Sequence, residues 1–125
     1  MPRVTVLIPG YNAEAHVFEA LTSILDQSYD DYRVLFVDDG STDATPEIMA
    51  RLAGPRLTYV RKDNGGIVSA LNLGLQQIDS EWVARFDADD VSFRHRLASQ
   101  LEFAEFTRCD AVSSAPVHID EAGAV

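Results

Sequence analysis

The chain has 125 residues, of which 46% are hydrophobic, so it is long enough to bury one core without disulfides. Its formal charge of −10, from 20 acidic and 10 basic residues, argues against a nucleic-acid partner, because phosphate backbones are bound by basic faces. No apolar run reaches the roughly 20 residues of a transmembrane segment, and residues 1–3 lead into a strand-like run instead of a signal peptide. We therefore expect a soluble, unexported single domain over residues 1–125.

Predicted strands and helices alternate along the chain. Runs of β-branched and aromatic residues predict strands, and apolar residues at helical spacing predict helices. In chain order these are a strand at 4–8, a helix at 14–27, a strand at 33–37, a helix at 46–52, a strand at 57–61, a helix at 68–78, a strand at 82–86, a helix at 96–106 and a weaker strand at 111–114. Thr45 is the expected N-cap of the second helix, with Pro46 at its first position. This alternation predicts a Rossmann-like three-layer α/β sandwich with a mainly parallel sheet.

Three loops with polar residues follow the first, second and fourth predicted strands, at residues 9–14, 38–43 and 87–90. In an open parallel sheet, ligands bind outside the carboxyl ends of the strands. We therefore expect these loops to meet at one edge of the sheet and to form the binding site.

The sharpest chemical signal is Asp87-Ala88-Asp89. On an extended backbone, residues two apart point the same way, and two hard carboxylate ligands suit Mg²⁺ or Mn²⁺. At an effective dielectric of about 20, like charges about 5 Å apart repel by roughly 3 kcal/mol, so a diphosphate beside these acids needs a divalent cation between them. The small Ala88 lets a ligand approach its backbone. In isolation, such an acid pair more often caps a helix or stays hydrated.

The other loops offer recognition groups whose roles stay open. A carboxylate of Asp38 or Asp39 could accept a hydrogen bond from the ring N–H of a base, although this loop also suits a turn with a helix N-cap from Ser41, Thr42 or Asp43. Tyr11 could stack on a base or ribose, or simply pack. The glycines at 65–66 permit positive φ. The basic residues 94–96 could reach a phosphate or only begin the last helix.

Taken together, residues 4–12 (VTVLIPGYN), 37–43 (VDDGSTD) and 86–90 (FDADD) resemble the family 2 glycosyltransferases with the GT-A fold. Residues 23–29, with the glycines and the helix that follow the third strand, are similar to the segments that this family places between those motifs. The resemblance extends from residue 3 to about residue 120, and the motifs occur in the family's order.

The resemblance implies a nucleotide-diphosphate-sugar donor, with a UDP-sugar favoured, and an inverting, metal-dependent transfer to an acceptor hydroxyl. It implies that Pro9, Tyr11, Glu14 and Asp39 lie near the base and ribose, and that Gly66 lies in the pocket wall.

Within the acidic motif, the resemblance implies that Asp87 faces ribose and metal, that Ala88 contacts the nucleotide-sugar, and that Asp89 is the principal ligand of Mn²⁺ or Mg²⁺. The acceptor would be a saccharide or a lipid-linked molecule, as in polysaccharide biosynthesis. A cytoplasmic location follows, and a peripheral position at the inner membrane face stays open.

The sequence departs from the family's pattern in its catalytic base. The family's general base lies well downstream of the Asp-x-Asp motif, and only 35 residues follow Asp90. We therefore expect the base beyond residue 125, and a truncated form or fragment that binds the donor but is poorly equipped for transfer.

Other classes fit the sequence less well. A receiver-type phosphotransfer domain places its acid pair after the first strand and needs a lysine after the fifth, whereas the only lysine here is Lys62. A haloacid-dehalogenase-type phosphatase carries its aspartate motif on the first strand. A non-catalytic nucleotide-binding module that keeps the fold remains the main alternative.

Overall fold

The computed structural model describes residues 2–125. Four strands and four helices alternate along these residues: β1 (Val4–Gly10), α1 (Val17–Leu25), β2 (Tyr32–Asp38), α2 (Thr45–Arg51), β3 (Leu57–Arg61), α3 (Ile67–Gln76), β4 (Trp82–Arg85) and α4 (Arg96–Thr107). The strands form one parallel sheet in the order β3-β2-β1-β4. The predicted parallel α/β architecture is therefore confirmed.

Helices cover both faces of the sheet, which is why β1 and β2 are hydrophobic almost throughout. On one face, side chains such as Val6 and Phe36 pack with residues of α1, α2 and α4. On the other face, Leu7 and Val37 pack against α3 through Ala70. The helix α3 comes so close that a Cβ on Gly74 would lie 2.3 Å from Leu7 Cδ1. The three predicted layers are present.

The strand order fixes where a ligand can bind. From β1 the chain steps outward to β2 and β3 and then returns to place β4 on the other side of β1. The strand order therefore reverses between β1 and β4, and in an open parallel sheet ligands bind at the carboxyl ends of the strands that flank such a point.

Two predicted details are wrong. Residues 111–114 form no strand in the described part of the chain, and three of the four are exposed. Their sequence, Ala-Val-Ser-Ser, offers too little apolar surface to hold a strand against the sheet. Thr45 is the first helical residue of α2 and Ala44 is the N-cap, because the Thr45 hydroxyl is used by another loop.

Among the described residues, no helix is both long and apolar enough to cross a membrane.

Candidate functional site

A cleft of about 440 Å³ lies at the carboxyl edge of the sheet, where the strand order reverses. Its walls come from the loops after β1, β2 and β4 and from the start of α3. The lining residues are Pro9, Gly10, Tyr11, Asn12, Ala13, Ala15, His16, Asp39, Ile67, Ala70, Asp87, Ala88 and Asp89. The three loops predicted to meet at one edge do so.

The loops after β1 and β2 are joined by side-chain hydrogen bonds. The backbone N–H of Asn12 donates to Ser41 Oγ at 2.9 Å, and Asn12 Oδ1 accepts the N–H of Thr42 at 2.8 Å. One residue later, the N–H of Ala13 donates to Thr45 Oγ1 at 2.9 Å. Asn12 has a φ of 49°, a left-handed conformation that asparagine tolerates better than most residues. The hydrogen bonds between the loops after β1 and β2 therefore hold both loops in one conformation.

Asp43 and Glu14 extend this joint to the start of α2. Asp43 accepts the N–H of Glu14 at 3.1 Å and the N–H of Thr45 at 2.9 Å, and Glu14 Oε2 accepts the N–H of Ala44 at 3.0 Å. Burial alone raises the pKa of Asp43, but the hydrogen bonds from Thr45 and Glu14 outweigh it and hold that pKa below its ordinary value. The side chain of Glu14 thus binds a helix N-terminus.

Asp39 is buried and fully occupied by internal donors. Its carboxylate accepts hydrogen bonds from Lys62 Nζ at 2.9 Å, from the N–H groups of Gly65 and Gly66 at 2.9 and 2.8 Å, and from Asn64 Nδ2 at 3.2 Å. Burial raises the pKa of Asp39, but Lys62 and the two backbone donors outweigh burial and lower it. Asp39 therefore fixes the loop that leads into α3.

Asp38 points away from the cleft into a structural network. It is fully buried and accepts hydrogen bonds from the N–H of Ser41 at 2.8 Å and from the Tyr59 hydroxyl. Burial, together with the hydrogen bond to Asp38, raises the pKa of Tyr59 to about 12. Asp38 is thus a turn-stabilising residue.

The connection between β4 and α4, residues 86–95, is hereafter called the acidic loop. Its first residues form a turn in which the N–H of Asp90 donates to the carbonyl of Asp87 at 3.2 Å. Oxygens of Asp87, Asp89 and Asp90 lie within 4.8 Å of one another. The sequence predicts that an extended backbone points Asp87 and Asp89 the same way. In the structure a turn brings them together instead, and it adds the carboxylate of Asp90.

The three carboxylates fit a divalent cation. Asp89 and Asp90 are exposed, and among the described residues neither side chain has a hydrogen-bond partner or a salt bridge, while Asp87 pairs with Arg85 at 3.1 Å. Partial burial, with the charges of Asp89 and Asp87, raises the pKa of Asp90. Hard oxygen donors with unused lone pairs and mutual repulsion are the set that Mg²⁺ or Mn²⁺ prefers.

Of the eight residues proposed for nucleotide-sugar binding, six line the cleft and two do not. Pro9, Tyr11, Asp39, Asp87, Ala88 and Asp89 form its walls. Glu14 is directed at the start of α2 instead, and Gly66 is the N-cap of α3 with a φ of 94°, next to the lining residue Ile67.

The basic residues 94–96 make contacts away from the cleft. Arg94 pairs with Asp26 at 3.7 Å, and the ring Nδ1 of His95 lies 2.8 Å from Ser28 Oγ. Arg96 donates to the carbonyl of Arg85 at 2.8 Å. Of the two interpretations left open by the sequence, these contacts favour the start of a helix.

Sequence reasoning assigned no role at the site to Asn12, Lys62 or Asp90. Asn12 bridges two loops that are 30 residues apart, and Lys62 pairs with Asp39 across the sheet edge. The one available signal was the run of three acids, 87, 89 and 90, in four positions.

The family model described as Glycosyl transferase family 2 matches residues 5–124, nearly the whole chain. The chain belongs to glycosyl transferase family 2. The resemblance in its motifs is therefore confirmed.

Relatives of this chain carry the same family function in their names. An uncharacterized glycosyltransferase of Rickettsia bellii is 32% identical over 122 residues, which are 97% of this chain and 18% of the relative. Glycosyltransferase GlyA of Streptococcus pneumoniae is 36% identical over 90 residues, which are 70% of this chain and 13% of the relative. The chain thus spans less than a fifth of the length of either relative.

Solved glycosyltransferases share the fold. Mannosyltransferase PcManGT from Pyrobaculum calidifontis, in complex with GDP-Man and Mn²⁺, matches with a TM-score of 0.75 and 37% identity over 82% of this chain and 32% of that chain. S. aureus TarS 1-349, in complex with UDP, matches with a TM-score of 0.79 and 27% identity over 85% and 33%. The expected GT-A type of α/β fold is confirmed.

Proposed function

We propose that this chain forms the donor side of a metal-dependent glycosyltransferase, which transfers a sugar from a nucleotide diphosphate to an acceptor hydroxyl. The observation that carries the proposal is that oxygens of Asp87, Asp89 and Asp90 lie within 4.8 Å of one another, and that Asp87 and Asp89 line the same cleft as Pro9 and Tyr11. A nucleoside can lie against Pro9 and Tyr11 while its diphosphate extends to the acidic residues. The complexes of related enzymes with UDP and with GDP-Man and Mn²⁺ support this reading.

Each wall has a separate task. Tyr11, half exposed at 51%, offers a ring face for the base or ribose, and Pro9 adds an apolar surface beside it. Asp39 keeps the start of α3 in place beneath the ligand. Asp87 and Asp89 hold Mn²⁺ or Mg²⁺, which when bound stabilises the charge of the departing nucleoside diphosphate.

Membership of glycosyl transferase family 2 supports a further proposal about the transfer reaction itself. We propose an inverting transfer with a UDP-sugar as the favoured donor and a saccharide or lipid-linked acceptor, as in polysaccharide biosynthesis at the cytoplasmic face of the membrane. We place the general base outside residues 1–125. The alternative is a non-catalytic nucleotide-binding module, because the same cleft can hold a nucleotide without transfer.

The test is calorimetric titration with UDP and with GDP, in Mn²⁺, in Mg²⁺ and in EDTA, on the wild type and Asp89→Asn. We expect nucleotide binding to require the cation. Asp89→Asn should weaken this affinity by more than the roughly tenfold to 100-fold loss that follows removal of an outer partner of a metal ligand. Asp110→Asn, which removes an exposed acid outside the cleft, is the matched control and should bind like the wild type.

Equal UDP affinity in Mn²⁺ and in EDTA would contradict the metal-dependent site. The second outcome concerns transfer. If UDP binding needs the cation, but the intact gene product neither transfers nor hydrolyses a donor sugar when saccharide and lipid-linked acceptors are supplied, the result would favour the non-catalytic module.

A further inference from the structure

The second half of the acidic loop is attached to the rest of the protein almost entirely through one short segment, residues 23–28, at the end of α1. Apart from Arg85 and the first turn of α4, every hydrogen bond or ion pair that ties residues 87–95 to another described part of the chain ends on this segment. The segment is called the loop anchor below. Its partners lie more than 60 positions away in sequence, so this attachment exists only in the folded chain.

Gln27 is the central residue of the loop anchor. The residue is only 7% exposed, and its Nε2 donates to the carbonyl of Phe93 at 2.9 Å, to Ser92 Oγ at 3.1 Å and, within its own helix end, to the carbonyl of Ser23 at 3.4 Å. Its Oε1 accepts the N–H of Leu97, in the first turn of α4, at 3.1 Å. A carbonyl on one side and an N–H on the other fix which end of the amide faces which partner. A buried amide with both ends satisfied holds its partners in one arrangement.

Two serines complete the attachment. Ser23 Oγ accepts the N–H of Ser92 at 2.9 Å, and the N–H of Ser28 donates to the carbonyl of Arg94 at 2.9 Å. The pair between Arg94 and Asp26 is long and exposed and adds little. The backbone of the acidic loop is therefore held at residues 92, 93 and 94, just after the carboxylates.

The acidic residues themselves lack such support. Ala88 is buried in the core and fixes the loop before Asp89, whereas the side chains of Asp89 and Asp90 make no hydrogen bond among the described residues. The positions of these two carboxylates thus depend on Ala88 on one side and on the loop anchor on the other.

We infer that Gln27 is a positioning residue, which fixes the acidic loop so that Asp89 and Asp90 converge on one cation. This inference rests on the proposed function, because it concerns the geometry of the same metal site. Gln27 does not line the cleft, so it is placed to act through the acidic loop and not by contact with a bound cation or nucleotide. Its loss should weaken cation binding in the way that loss of an outer partner of a metal ligand does, by about tenfold or more.

The experiment measures Mn²⁺ affinity in the presence of UDP by the loss of the free-ion signal in electron paramagnetic resonance. Gln27→Met keeps the side-chain length and removes all four hydrogen bonds of the amide, and Ser23→Ala removes the acceptor for Ser92. We expect Mn²⁺ affinity to fall about tenfold in Gln27→Met and severalfold in Ser23→Ala. Amide hydrogen exchange of residues 88–95, measured without metal, should accelerate in both variants.

Two matched controls separate positioning from general destabilisation. Thr22→Ala removes a hydroxyl from the neighbouring position of α1, where it bonds only to Phe18 of its own helix. Met49→Ala opens a cavity under α2, in a fully buried part of the core. Both should keep the wild-type Mn²⁺ affinity although Met49→Ala lowers the thermal midpoint.

The possible results distinguish the two proposals. Wild-type affinity in both Gln27→Met and Ser23→Ala, together with loss of binding in Asp89→Asn, overturns the role of Gln27 and leaves the metal site intact. A loss in Met49→Ala as large as that in Gln27→Met also overturns it, since general softening then explains both. No Mn²⁺ binding to the wild type overturns the proposed metal site, and the role of Gln27 with it.

Discussion

On the β2 side of the cleft, the carboxylates of Asp38 and Asp39 are buried and hydrogen-bonded to internal partners, whereas on the β4 side Asp89 and Asp90 are exposed and have no partner among the described residues. Asp39 represents the first region, with its lysine and its backbone donors. The difference indicates separate tasks. The β2 side is a preformed scaffold whose polar groups are used up in holding its shape, whereas the β4 side has unpartnered carboxylate oxygens, which are the groups that the proposed function assigns to the ligand.

The largest effect is expected from breaking the scaffold at its centre. Asp39→Asn should lower the free energy of unfolding by about 3 kcal/mol, because the partly buried Lys62 then lacks a counter-charge and backbone donors face an amide. Urea unfolding at pH 7 measures this. Asp79→Asn, which removes an exposed acid 3.6 Å from Arg33, should cost less than about 0.5 kcal/mol. Equal stability of the two variants would show that Asp39 is not a scaffold residue.

Gly40→Ala tests the backbone of the same region. Gly40 has a φ of +81°, and a Cβ there would lie 2.8 Å from the backbone nitrogen of Asn64. Strain and this close contact should together lower the free energy of unfolding by about 2 kcal/mol. Gly54→Ala is the control, since its φ is ordinary and the nearest atom lies at 4.0 Å. A Gly40→Ala variant as stable as Gly54→Ala would mean that the turn can rearrange.

The scaffold should also lose stability in acid. The pKa values of Asp39 and Asp43 lie below the ordinary 3.8, so their ionised forms contribute fully above that pH, and the contribution disappears as pH falls through the lowered values. Asp43→Asn should cost about 1 kcal/mol at pH 6 and progressively less below pH 4. Urea midpoints of variant and wild type at a series of pH values give this difference. A constant difference down to pH 2.5 would contradict a lowered pKa.

The smallest effect should be a gain in stability, and it should come from a substitution on the β4 side. Asp90→Asn removes one of three adjacent negative charges and should raise the thermal midpoint slightly, by the equivalent of about 0.3 kcal/mol at low salt. The gain should shrink in 1 M salt, where charges are screened. Glu102→Gln on the exposed face of α4 serves as the charge control. A loss of stability in Asp90→Asn at low salt would place Asp90 with the scaffold.

Sequence reasoning succeeded where local pattern decides structure. The strand at 57–61 was predicted with its observed bounds, and the other strands and helices agree to within a few residues, because hydrophobic periodicity is a local property. It failed for residues 111–114, because a strand also needs a neighbour against which to pair. It also failed for Thr45, whose hydroxyl could cap its own helix or serve another loop with equal local logic.

For the candidate site, the sequence by itself determined which loops meet at the cleft and which acids cluster, since carboxyl ends of parallel strands meet at one edge. Only the tertiary structure decided which groups remain free. Glu14 and Asp39 look equally available in sequence, yet one binds a helix N-terminus and the other is saturated by the loop after β3. The reason is that the hydrogen-bond partners which join these loops lie 23 to 70 positions apart, and their distances are set by packing and not by the chain between them.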